Sequence, residues 1–157
     1  MRVILHRIAL AGGGRHLLDE INNYRTTHDP SLAPLVEVEQ LSEAEQVYRA
    51  PFRDANTTKL PEREVDKNYN YWESNTKGWN PCRSLGLRRG QENGRNIYTL
   101  IATVPEGNAE LRTILEKSHV FDDKACTDIG IAVVTINEQM YWTCTTFRKR
   151  SSPSLQA

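Results

Sequence analysis

The residues able to do chemistry are few and scattered. His119 is followed by Asp122, Asp123 and Cys126, and a histidine close to a thiol and carboxylates is the raw material of a nucleophile and its base. That group is local in sequence, whereas working Cys–His pairs are brought together by the fold from distant segments. His119 also follows an amphipathic stretch, where a cation favours the carbonyl end of a helix; a capping role is the simpler one. Glu92 and Glu110 are the acids that, with His119, would make a hydrolase if the side chains converged. His16 and His28 stand too far apart to share a metal on one helix face, which wants ligands three or four residues apart. The three cysteines, Cys82, Cys126 and Cys144, form no C-x-x-C pair, so no zinc or redox centre is expected. Neither metal nor cofactor is implied.

Arg83, Arg88, Arg89 and Arg95 surround Trp79 and precede Tyr98. Arginines interleaved with aromatics can grip single-stranded nucleic acid. Lys plus Arg equals Asp plus Glu at 20 each, however, and Glu92 interrupts the cluster, which argues against a nucleic-acid partner. Gly12-Gly13-Gly14 lacks the Gly-Lys-Ser/Thr ending of a phosphate loop and reads as a flexible joint.

These residues sit in a chain of 157 residues, a length that suits one domain with a single core. The mean hydropathy of -0.61 reflects long polar loops. No apolar run approaches the ~20 residues needed to span a bilayer. Met1-Arg2-Val3-Ile4-Leu5 starts like a signal peptide and Ala9-Leu10-Ala11 resembles a cleavage site, but His6 and Arg7 interrupt the apolar stretch. Residues 1–14 therefore read as a flexible or signal-like segment, 15–150 as a single domain and 151–157 as a loose tail.

Leu17, Leu18, Ile21 and Tyr24 recur at helical spacing and predict a first helix from about Arg15 to Thr27. Leu32-Ala33-Pro34-Leu35-Val36 is an apolar loop that pins the chain to the core. Ser42 with Glu45 has the form of a capping box, predicting a second helix from Glu43 to about Phe52, with Pro51 able to shorten it. Arg53–Arg95 shows no period. Its aromatics, Tyr69, Tyr71, Trp72 and Trp79, argue for an ordered excursion packed on the body of the domain. Asn96–Val104 is β-rich, with the approach to a helix as the alternative, and Ala109–Lys117 predicts a third helix burying Leu111, Ile114 and Leu115. Asp128–Ile136 and Gln139–Phe147 flank Asn137-Glu138 as a hairpin of two apolar strands. Ile129, Ile131 and Val133 point one way, and Ala132 and Val134 the other. Both faces are apolar and need cover. The expected fold is thus a three-layer α-β-α sandwich with a central antiparallel sheet. Cys144 reads as a buried small hydrophobe; Cys82 and Cys126, in polar loops, would be the pair if the protein is exported.

The order of these segments resembles the CAP superfamily of cysteine-rich secretory, antigen 5 and pathogenesis-related 1 proteins. Leu17–Arg25 resembles the first helix, in which an Asn and an Arg three residues later recur. Leu32–Leu35 and Leu41–Gln46 resemble the loop and second helix. Gly94-Arg95-Asn96-Ile97-Tyr98 resembles the Gly-Glu-Asn-Ile/Leu-Tyr motif, and Leu111–Leu115, Asp128–Val133 and Tyr141-Trp142-Thr143 resemble the third helix and closing strands. The family's metal-binding cleft uses two His and two acids. Here Arg95 stands at the motif's Glu and Glu110 at a cleft His, and no His lies between His28 and His119. In a shifted register Glu92 keeps the acid. The resemblance therefore implies a divergent member without the metal tetrad.

From that resemblance the expected function is a secreted, non-enzymatic domain recognising a lipid, sterol or protein partner. Its binding residues would be Tyr71, Trp72, Trp79, Glu92, Arg95 and Glu110, the rings because aromatics offer large contact area with few rotors. The alternatives are the hydrolase described above and an intracellular, cytoplasmic interaction protein with reduced cysteines.

Overall fold

The computed structural model describes residues 16–60, 85–92, 95–96, 99–102 and 108–149. Tyr71, Trp72, Trp79, Cys82 and the segments 1–14 and 151–157 lie outside the described residues. In chain order the elements are helix α1 over 16–28, β1 (Val36–Glu37), α2 (Glu39–Ala55), β2 (Leu87–Arg89), β3 (Gln91–Glu92), β4 (Arg95–Asn96), β5 (Thr99–Ala102), α3 (Asn108–Lys117), β6 (Cys126–Ile136) and β7 (Gln139–Lys149).

The β6–β7 hairpin is the centre of the sheet. It is joined by Asn137 and Glu138, both at positive φ (53° and 65°), the geometry that matches the twist of a tight hairpin. Glu138 carries a Cβ there and so bears strain of about 1–2 kcal/mol. The turn is held from outside: the Asn137 amide donates to Asn56 Oδ1 at 2.6 Å, and Asn56 itself caps α2 in the left-handed region.

On the outer edge of β6, β1 pairs in parallel, Val36 opposite Asp128 and Glu37 opposite Ile129. The central pairings are antiparallel, as expected, and β1 adds one parallel strand at the edge. The edge of β7 is shared by two short strands, β2 on Phe147–Lys149 and β5 on Tyr141–Cys144. From Arg89 to Thr99 the chain advances ten residues while its partner advances three, from Phe147 to Cys144. The surplus forms the small β3–β4 ribbon, with Glu92 opposite Arg95. It leaves the sheet at Gly90, whose amide donates to the Thr146 carbonyl at 2.6 Å. A Cβ on Gly90 would collide with Thr146 Oγ1 and with Val120 Cγ2.

Alternation along β6 sends its two faces to different helices. Ile129 and Ile131, with Cys144 of β7, pack against Leu17 and Ile21 of α1 and Leu111 and Leu115 of α3. Val134 and Ile136 pack against Ala44, Tyr48 and Phe52 of α2, and Leu41 meets Leu87 and Phe147. Each large side chain so buried contributes about 1.5–3 kcal/mol. The result is the expected α/β sandwich, with α2 on one face and α1 and α3 on the other. The helix α2 lies so close that a Cβ on Gly130 would stand 2.5 Å from the Leu41 carbonyl oxygen.

Three local expectations are corrected. The second helix begins at Glu39, and Ser42 lies inside it without capping. Its hydroxyl instead donates to Glu37 Oε2 at 2.8 Å and accepts the Ile131 amide at 3.0 Å. A tertiary contact thus claims the side chain that the capping pattern assigned locally. Pro51 does not shorten the helix, which runs on to Ala55. The carbonyl left without its N–H partner by Pro51 belongs to Val47, whose residue is 47% exposed, so water can serve it. Cys126 also departs from its expected loop: it opens β6 and is fully buried. A register shift between Cys126 and Asp128 changes the phase of the strand, and this turns Cys126 onto the same face as Ile129.

Candidate functional site

Helices α1 and α3 lie on the same face of the sheet, and a cavity of about 320 Å³ opens between them. From α1 it takes Glu20, Asn23, Tyr24, Thr27 and His28, residues spaced so that they share one side of a helix. Leu111, Arg112, Leu115 and Glu116 of α3 form the opposite wall. Leu111 and Leu115 are buried and make an apolar floor. Burial raises the Tyr24 phenol above its ordinary pKa, and the Asp122 and Glu116 carboxylates push it further the same way.

At the end of α1 the Tyr24 ring stacks on His28, centroids 5.6 Å apart. His28 Nε2 lies 3.3 Å from Asp122 Oδ2, and His119 Nδ1 lies 3.6 Å from the same oxygen. One carboxylate therefore ties the end of α1 to the turn after α3. Both imidazoles are largely exposed, at 52% and 75% of the side chain, while Asp122 is 14% exposed. This is a surface bridge between elements. No group of three or more metal-ligating side chains is found among the described residues.

Asn22 and Arg25 sit one turn below. Asn22 Nδ2 donates to the Leu35 carbonyl at 3.0 Å, and its Oδ1 accepts the Leu35 amide at 2.8 Å, so the side chain mimics a strand partner. Arg25, 2% exposed, donates from Nε to the Ala33 carbonyl and from Nη1 and Nη2 to those of Phe121, Asp123 and Cys126, at 2.7–3.1 Å. Burial lowers its pKa, and the Cys126 thiol, Asp123 and Asp122 oppose that shift. The planar guanidinium fork is the side chain that can span four carbonyls. These two residues hold the loop before β1 and the loop before β6 to α1.

A second polar cluster lies under α2. Glu45 and Arg49 are fully buried; Arg49 Nε donates to Glu45 Oε1 at 3.1 Å, and Thr145 Oγ1 donates to Glu45 Oε2 at 2.7 Å. Arg89 is buried as well, while its neighbour Arg88 is exposed. Strand alternation thus sends adjacent arginines of the basic cluster to opposite sides, and the two do not share a nucleic-acid face.

Of the residues the sequence nominated, Glu92 and Arg95 meet across the β3–β4 ribbon, and Glu110 lies in the first turn of α3. Their side chains fall outside the described residues, as do Tyr71, Trp72 and Trp79. His119 follows the far end of α3, about 10 Å of helix axis from Glu110, and its described partner is Asp122. Cys126 is a free thiol here, and Cys82, its candidate partner if the protein is exported, lies outside the described residues. Burial is the main cause that pushes this thiol up to about 11, with Asp123 adding to it and Thr146, Arg25 and Arg148 opposing. It is a poor nucleophile at neutral pH.

No family model matches the chain, and no curated protein matches it. Among solved structures it is similar to an outer surface protein from Borrelia burgdorferi. The TM-score is 0.53 at 14% identity, covering 90% of this chain and 96% of that one. At that identity the likeness bears on the fold, and it agrees with the α/β sandwich described above.

Sequence reasoning missed the cavity. Its signal was present in α1, where Glu20, Asn23, Tyr24 and Thr27 form a polar and aromatic stripe beside the apolar one. Such a stripe reads as a solvated face until a second helix is known to lie against it.

Proposed function

We propose that this chain is a non-catalytic recognition domain of CAP type that acts outside the cell. The observation that carries the reading is the Asn22–Arg25 clamp. These residues stand where the resemblance puts the Asn and Arg of the first helix, and both are engaged with backbone groups of Leu35, Ala33, Phe121, Asp123 and Cys126. A motif used this way builds a rigid scaffold for recognition. The placement of His119 on Asp122, beyond the helix that begins near Glu110, also favours binding over hydrolysis. That the fold neighbour is an outer surface protein is consistent with an extracellular site of action. No helix among the described residues is long and apolar enough to cross a membrane. The partner is a lipid or sterol, or else a protein, met by Tyr71, Trp72 and Trp79 together with Glu92, Arg95 and Glu110.

The test is a titration of the full chain with vesicles with and without sterol, followed by tryptophan fluorescence. Saturable binding that is lost in a Trp72→Ala, Trp79→Ala double variant supports the lipid reading. Binding that survives this variant, or ester hydrolysis that depends on His119, overturns it. A second reading, an intracellular interaction protein, is favoured by one observation: Cys126 and Cys144 are both free thiols, as suits a reducing compartment. Intact-mass analysis of protein from its native source separates the two. Cleavage near Ala11 supports export, and a full-length chain with three free thiols supports the intracellular reading.

A further inference from the structure

We propose that the cavity between α1 and α3 is a binding site for a small organic cation, a primary ammonium or guanidinium on a short apolar stem. The proposal is independent of the aromatic surface proposed above. The cavity, about 320 Å³, falls at the small end of the range of roughly 300–1,000 Å³ for small-molecule sites. Its floor is apolar, from Leu111 and Leu115, and suits a stem of a few carbons.

The walls decide the charge of the ligand. Glu20 lines the space from α1 and Glu116 from α3, so acidic residues border it from both helices. Neither makes an ion pair within the described residues. Arg112 is the one permanent cation of the lining, leaving an excess of one negative charge when His28 is neutral. Asp122 adds to the negative side from behind His28. An aromatic ring next to carboxylates above an apolar floor is suited to a cation, because the ring face carries negative charge. An anion would meet the net negative charge of the lining, and a neutral ligand would draw no charge attraction from it.

The experiment is an amide NMR titration of the full chain at pH 7 and low salt. The probes are phenethylamine, the neutral isostere 2-phenylethanol and the anion 3-phenylpropionate. The amine should shift amides of 20–28 and 111–116 and bind at least about tenfold more tightly than the alcohol. The double variant Glu20→Gln, Glu116→Gln should remove that preference and leave the weak binding of the alcohol unchanged. Raising the salt to about 0.5 M should weaken the amine selectively. Capped lysine amide is a further arm. Binding equal to that of phenethylamine would make a protein lysine the source of the cation; weaker binding would assign the site to a free amine. The proposal is overturned if the alcohol or the anion binds as tightly as the amine, if no probe shifts these amides, or if the double variant binds the amine unchanged. None of these results bears on the vesicle titration, so each proposal can fail alone.

Discussion

Replacing Arg25 with Ala removes four hydrogen bonds to carbonyls of Ala33, Phe121, Asp123 and Cys126. Bonds that involve a charged group are worth about 1.5–3 kcal/mol each, but the gross sum overstates the loss, because a guanidinium that is 2% exposed has also given up its hydration. A buried acceptor left unsatisfied costs about 1–3 kcal/mol; with the Phe121 and Cys126 bonds buried and the other two partly open to water, the expected destabilisation of Arg25→Ala is about 3–5 kcal/mol. It is a large part of the ~5–15 kcal/mol typical of a domain. At about 2–4 °C per kcal/mol for a chain of this size, the melting temperature should fall by roughly 6–20 °C. Arg25→Lys should fall in between, because an ammonium is a point donor that cannot span carbonyls on two separate loops. Urea denaturation with linear extrapolation measures both. Hydrogen exchange over 119–126 should accelerate in the Ala variant before global unfolding. The reasoning fails if Arg25→Ala lies within about 1 kcal/mol of the parent, the range of an ordinary surface substitution, or if Lys restores full stability.

Two further substitutions test the packing. Gly130→Ala puts a methyl against the Leu41 carbonyl, a backbone atom that can yield only if α2 moves; a loss of about 1–3 kcal/mol is expected in thermal unfolding, and a neutral result would mean that α2 is not seated on β6 as described. For Cys126, the thiol is raised from 9.0 to about 11, so the folded state holds its proton more tightly than the unfolded chain. The contribution is complete below about pH 9 and is lost as pH rises towards 11, an alkaline decline of up to about 2–3 kcal/mol. Comparing stability–pH curves of the parent and Cys126→Ala isolates this from the titration of Tyr24; superimposable alkaline limbs would refute it.

How much of the molecule can be read from residues alone varies with the range of the interactions. The first helix, the third helix and the closing hairpin are legible because their apolar periods run over many residues and their core contacts follow the period. The strand β5 falls within the β-rich Asn96–Val104, but β2, β3 and β4 are not legible, since two or three residues cannot display alternation. The start of α2 is hidden because the Ser42 hydroxyl serves Glu37 and the Ile131 amide, which no local pattern encodes. Cys126 reads as a loop residue because a register shift moves it to the core, and an inserted residue leaves no mark on composition. At the candidate site, the α1 stripe is visible as residue types, but its meaning as a wall requires α3 opposite it.

The Arg25 clamp also has a consequence for the order in which the molecule is made. Its carbonyl partners at Phe121, Asp123 and Cys126 lie 96, 98 and 101 residues away, so the first helix leaves the ribosome long before the segment that completes its core. During that interval the apolar side of α1 lacks most of its core and the guanidinium keeps only the Ala33 carbonyl of its four partners, and the N-terminal half depends on the arrival of the last two strands. Distant contacts of this kind slow folding and lengthen the exposure of a nascent chain to aggregation. Truncation before β6 should therefore yield an insoluble or unfolded fragment rather than a smaller folded unit.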